Sequence, residues 1–147
     1  MSAITGTIEI SRRPEQVFAY LDDLSRHGEW QESIVSSQQH GDGPTGVGTR
    51  STDQRRMGRR VQAITYEVTE HDPPTSFAFR GVDGPVRVVG KATIEPVGDG
   101  SSSRVSLVLD FEGRGIGKLL LPIARSQARK QVPKDHQRLK ERLESGA

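Results

Sequence analysis

Over long stretches of this chain apolar residues fall at every second position, the spacing that turns one side of a β-strand toward a core and the other toward water. Residues Thr5 to Ile10 set Ile8 and Ile10 against Thr7 and Glu9 and predict a first strand at a sheet edge. Ile64, Tyr66 and Val68 alternate with Thr65, Glu67 and Thr69 until Asp72-Pro73-Pro74 stops the run, because proline has no ladder donor and restricts its predecessor. Phe77 and Phe79, then Val86, Val88, Gly90, Ala92 and Ile94, then Val105, Leu107, Leu109 and Phe111 each share one face of a further strand. Gly41, Gly43, Pro44, Gly46 and Gly48 mark a turn between strands. Arg56-Met57-Gly58-Arg59 predicts a tight hairpin, or a longer turn if Met57 has to take a positive φ.

Helical spacing replaces alternation in three places. Pro14 suits the first turn of a short helix whose apolar side is Val17, Phe18 and Leu21, and Ser25 is placed to cap a second short turn leading to Trp30, the only tryptophan. Both are too small to cover a sheet, so the cover falls to residues 115–144. At about 100° per residue, Ile116, Leu119, Leu120, Ile123, Ala124 and Gln127 form an apolar stripe about 140° wide. Pro122 and Pro133 lie eleven residues apart, which is three turns plus about 20°, on a side away from much of that stripe. The expectation is one long helix, bent or briefly interrupted at two outward-facing prolines. The element order is that of an α+β fold: a curved antiparallel sheet of about six to seven strands gripping a long C-terminal helix, in one domain over residues 1–147.

Composition narrows the functional classes. The chain has 147 residues, 32% hydrophobic and 27% charged, and no cysteine, which removes disulfides, thiolate metal sites and cysteine nucleophiles. No run approaches the roughly 20 apolar residues of a membrane span, and the first residues lack the apolar centre of a signal peptide, so a cytoplasmic location is expected, without integral membrane association. The net charge of +2 is unevenly spread: Ile116 to Ala147 carries eight Lys/Arg against three Asp/Glu. That excess fits either a solvated helix face or a basic surface for a partner.

The stretches IEISRRPEQVFAYLDDLSRHGEW (8–30), GVGTR (46–50), YEVTEHDPPTSFAFR (66–80) and KQVPKDHQRLKERLE (130–144) resemble the START-like, or SRPBCC, superfamily, in its polyketide cyclase/dehydrase branch. The resemblance runs over nearly the whole chain. It implies a helix-grip architecture with a pocket between the sheet and the C-terminal helix, used for lipids, sterols, polyketides or other apolar molecules. Some such proteins are cyclases or hydrolases, and many only bind or carry.

Periodicity leads to the same pocket. The core-facing positions include the small residues Gly81, Gly90, Ala92 and Ala124, and four Phe, two Tyr and one Trp are few to fill the space under a curved sheet. The expected lining is Trp30, Ile34, Tyr66, Val68, Phe77, Phe79, Val88, Leu107, Leu109, Leu119, Ile123 and Gln127. Trp30 and Tyr66 each bring a polar group to orient a hydrophobic ligand. No catalytic set stands out: His27, His40, His71 and His136 read as surface or structural histidines, and Tyr66 is the candidate acid or base, with Asp110 if a bulge turns it inward. No HExxH or His pair at i, i+4 occurs, so neither a metal nor another cofactor is expected. GRGIGK (113–118) lacks P-loop spacing and reads as a sharp strand-to-helix turn. Arg50, Arg55, Arg56, Arg59 and Arg60 read as a solvated hairpin end rather than a nucleic-acid site. Three functions remain open: binding of an apolar small molecule by a monomer or homodimer, polyketide cyclisation or dehydration, and protein interaction through the basic helix.

Overall fold

The computed structural model describes residues 3–146. Strand β1 (Ile4–Ile10) is followed by helix α1 (Pro14–Asp22) and a 3-10 turn (Leu24–Glu29). Then come β2 (Ile34–Gln39), β3 (Arg50–Met57), β4 (Arg60–Asp72), β5 (Ser76–Gly81), β6 (Val86–Val97), β7 (Ser102–Gly113) and helix α2 (Gly117–Glu144). The strands form one antiparallel sheet in the order β1-β7-β6-β5-β4-β3-β2, curled into a half-barrel, with β1 at an edge as expected.

Local chemistry accounts for most element ends. Pro14 occupies the first turn of α1, where a missing N–H costs nothing. The 3-10 turn is capped by Asp23, whose carboxylate accepts from the Ser25 N–H; the sequence had pointed to Ser25 itself as the cap. Met57 pairs with Arg60, and the two-residue hairpin puts its positive φ of 65° on Gly58, so Met57 takes no strained conformation. At the β7–α2 junction a Cβ on Gly117 would lie 2.0 Å from the Pro85 carbonyl oxygen, and Gly115 has a φ of 56°. GRGIGK is therefore a turn that only glycines permit.

Register aligns the inward side chains into rows. Val68, Phe79, Gly90, Leu109 and Ile4 are successive partners across β4, β5, β6, β7 and β1, and His71, Phe77, Ala92, Leu107 and Gly6 form the neighbouring row. A bulge between Val68 and Glu70 shifts the parity of β4, which is how both Val68 and His71 join the concave side. One buried cluster unites Ile10, Val17, Phe18, Tyr20 and Leu21 with Ile94, Val105, Leu139 and Leu143, and a smaller one holds Leu24, Tyr66 and Val68. Each such side chain contributes roughly 1.5–3 kcal/mol on burial. The main core thus sits where α1 and the end of α2 meet the sheet.

Helix α2 runs unbroken through Pro122 and Pro133, and both prolines are exposed, on the outer side as expected. Its buried face is not the expected one. Ile116, Leu119, Leu120 and Ile123 are exposed, while Gly117, Val132, Asp135, His136, Leu139 and Leu143 are buried. The helix packs mainly along β1 and β7. Bulky aliphatics in its first half would hold it off the sheet, whereas Gly117 lets its backbone approach Pro85 closely.

Candidate functional site

Concave positions on β4 to β7 differ sharply in burial along the sheet. Near α1, Ala92, Ile94 and Val105 are buried, but Phe77, Phe79, Val88, Leu107, Leu109 and Phe111 are only half-buried although they occupy the same face. Above them the first half of α2 turns Leu121 and the small Ala124 and Ala128 inward, its half-buried apolar positions. Apolar side chains of the sheet and of α2 are thus incompletely covered at the end away from α1.

From α1 along this face runs a series of packed rings, edge-on at Phe18–Phe77 and Tyr66–Phe79 and tilted at Phe77–Phe79. The Phe18 and Phe77 ring centroids are 5.9 Å apart, those of Phe77 and Phe79 6.3 Å, and those of Tyr66 and Phe79 6.0 Å. Gly90 leaves no void, because a Cβ there would meet the Phe79 ring at 2.6 Å. The small residue expected to open space instead makes room for a neighbouring ring.

At the β3 side this face meets a polar cluster. Ser51, Asp53 and Arg55 alternate on β3, and Asp53, 2% exposed, accepts from the Ser37 hydroxyl at 2.8 Å. The Arg55 guanidinium donates to Ser33 at 2.8 Å and to Gln31, and lies 3.5 Å from Asp53. Its charge reaches His27, Tyr66 and Asp135. Arg55 is therefore no solvated hairpin residue, in contrast to the exposed Arg56, Arg59 and Arg60. Across from it the Asp135 carboxylate accepts from the Glu32 N–H at 3.2 Å and from Gln131 at 2.8 Å, stitching the segment after the 3-10 turn to α2. Burial raises the Asp135 pKa, and nearby Glu32 adds to the rise.

Two buried polar atoms have no hydrogen-bond partner among the described residues: Trp30 Nε1 and the Tyr66 hydroxyl. Trp30 packs edge-on to His27 at 5.7 Å, and Tyr66 is Cα-partnered with Ser51, whose hydroxyl donates to the Gln38 carbonyl. Burial, reinforced by the Asp53 charge and only partly offset by the nearby Ser51 hydroxyl and Arg55 charge, raises the Tyr66 pKa far above its ordinary value of 10.0. At neutral pH this phenol keeps its proton and can only donate or accept a hydrogen bond.

Of the expected lining residues, Trp30, Ile34, Tyr66, Val68, Phe77, Phe79, Val88, Leu107 and Leu109 lie on or beside the concave face, with Ile34, Tyr66 and Val68 buried. Leu119, Ile123 and Gln127 do not join them, because all three are exposed on the outer part of α2. Asp110 is held by Arg125 of α2 at 3.0 Å with no register shift beside it, so it is reached by the helix rather than by a bulge. His27 is buried and its ring N–H donates to the Leu21 carbonyl at 2.7 Å, His71 bonds Asp22 at 2.8 Å, and exposed His40 bonds Thr52. His136, expected among surface charges, is buried against Gly6. Among the described residues no group of three His, Asp or Glu could hold a metal ion, and no helix is long and apolar enough to cross a membrane.

Sequence periodicity missed Arg55, Asp53, Gln31 and Asp135. Strand β3 is polar on both faces, so alternation carries no information there, and only the Gln131-Asp135 spacing of i, i+4 hinted at a shared helix face.

The family described as "Polyketide cyclase / dehydrase and lipid transport" matches residues 1–144. No curated protein matches the chain. Among solved structures, TTHA0849 from Thermus thermophilus is 22% identical with a TM-score of 0.79, over 99% of each chain. The Zhui aromatase/cyclase from Streptomyces sp. R1128 is 15% identical with a TM-score of 0.72, over 92% of this chain and 87% of its own. A START superfamily protein from Mycobacterium smegmatis is 15% identical with a TM-score of 0.73, over 96% and 98%.

Proposed function

Because this chain belongs to the polyketide cyclase/dehydrase and lipid transport family, we propose that it binds a hydrophobic small molecule, lipid-, sterol- or polyketide-like, in a cleft between the sheet and α2. The observation that carries this reading is the pairing of half-buried apolar side chains on a concave face with two buried donors that lack a well-formed hydrogen bond among the described residues, Trp30 Nε1 and the Tyr66 hydroxyl, the latter with only the Ser51 hydroxyl nearby. Buried donors are normally paired, and an unmade bond costs about 1–3 kcal/mol, which a ligand oxygen would recover. Phe77, Phe79, Val88, Leu107 and Leu109 would take the apolar body, while Tyr66, Trp30 and Arg55 would orient a polar end.

Native mass spectrometry of gently purified protein tests this. The expected result is an added lipid-like mass, lost in Ala124→Trp, which fills the cleft from the helix side without touching the main core. Wild-type protein that is reproducibly empty, and that fails to enhance anilinonaphthalene sulfonate fluorescence, would count decisively against it.

A second reading, cyclisation or dehydration of a polyketide-like substrate, draws on the cationic Arg55 beside a Tyr66 that stays protonated. Two such donors suit a carbonyl oxygen that gains negative charge during reaction. Turnover of an aromatic polyketide precursor that vanishes in Tyr66→Phe would favour this reading, whereas an unchanged rate would remove Tyr66 from the chemistry.

A further inference from the structure

The first turns of α2 hold large aliphatic side chains in water. Ile116 is 70% exposed, Leu119 76%, Leu120 42% and Ile123 57%. Four such residues on adjacent turns form a contiguous apolar ridge, and patches of this kind mark contact surfaces. At about 100° per residue, Ile116, Ile123, Lys130 and Lys134 fall within about 40° of one another, so the apolar ridge continues along the same side of the helix into lysine. From Arg114 to Lys134 the chain carries Arg114, Lys118, Arg125, Arg129, Lys130 and Lys134 and no acidic residue. Arg125 is engaged by Asp110, and the other five are exposed.

We propose that this outer face of α2 docks on the surface of an anionic phospholipid bilayer. Ile116, Leu119, Leu120 and Ile123 enter the interface between headgroups and acyl chains, and Lys130 and Lys134 meet lipid phosphates. An apolar side with a Lys/Arg-rich continuation is the composition of helices that lie in a membrane interface. Charge selects the bilayer over a second copy of this chain, because pairing two copies through this face would set two acid-free basic segments against each other. Shape points the same way: the face is a convex ridge, suited to a plane that yields rather than to a preformed groove. The opposite side of α2, with Val132, Leu139 and Leu143, stays on the sheet, so docking requires no unfolding. The inference stands apart from the cleft and its contents.

Co-sedimentation of the full chain with vesicles of equal parts phosphatidylglycerol and phosphatidylcholine, against vesicles of phosphatidylcholine alone, tests the proposal. Binding to the mixed vesicles is expected to be at least about tenfold stronger and to weaken as salt is raised. Leu119→Ser/Ile123→Ser and Lys130→Gln/Lys134→Gln are each expected to weaken it roughly tenfold, at an unchanged Tm. If the serine pair lowers Tm, the lysine pair decides alone. Absence of binding to the anionic vesicles at low salt, equal binding to both vesicle types, or wild-type affinity in Lys130→Gln/Lys134→Gln would each overturn the proposal. So would a solution dimer, seen by sedimentation equilibrium, that the serine pair dissociates, because the face would then belong to a second copy.

Discussion

A phenol buried without a partner costs a protein about 1–3 kcal/mol, and Tyr66 is in that position. Tyr66→Phe keeps the ring packed on Phe79 and removes only the unsatisfied group. Thermal unfolding is therefore expected to show stability unchanged or raised by about 1 kcal/mol. Titration of the same variant with its copurified ligand is expected to show affinity reduced about fivefold, the worth of one hydrogen bond. A clear loss of stability would mean that the hydroxyl has a structural partner. The burial of Tyr66 could be read from its alternation with Thr65 and Glu67. Its poorly satisfied hydroxyl could not, because that depends on which side chain β3 sets opposite it and at what distance. Arg55 illustrates the converse: by composition it belongs with its exposed neighbours, and only the positions of Ser33, Gln31 and Asp53 draw it inward.

At the scale of elements, α2 was legible as a helix and its prolines as outward-facing, since 100° spacing orders residues around the axis whatever the neighbours. The side that meets the sheet was not, because an apolar stripe is normally buried and here it stays in water. An exposed proline in a helix interior removes a backbone hydrogen bond without giving packing in return. Pro133→Ala is accordingly expected to stabilise the protein, by up to about 3 kcal/mol, measured as a rise in the denaturant midpoint at constant slope. Destabilisation by this change would show that the local backbone geometry imposed by Pro133 is needed to seat Val132 and His136 on Gly6. The strands fared better because their one-sided alternation in β4 to β7 coincides with their burial, apart from the parity change at the β4 bulge.

For the whole molecule, two buried histidines link stability to pH. Burial lowers the pKa of His27 and of His136 below their ordinary value of 6.5. The unfolded chain then takes up protons that the folded chain refuses, so stability is complete above about pH 6.5 and falls as pH drops below it. Asp135 runs the other way, its raised pKa favouring the folded state as pH falls toward the ordinary carboxylate range, so the histidines dominate the upper part of the window. Melting temperatures are expected to decline between pH 7 and pH 5 and to decline less in His136→Gln; a flat profile in the wild type would contradict the neutral, buried assignment. What the sequence determined by itself was the set of strands, the long helix, the glycine turn before it and the inward side of each apolar strand, because these follow from local periodicity and backbone sterics. Tertiary structure alone decided that Arg55 turns inward, that Phe79 fills the space over Gly90, and that the aliphatic stripe of α2 faces water. Those outcomes depend on strand register and on the close approach of Gly117 to Pro85, contacts between residues far apart in the chain that no local pattern encodes.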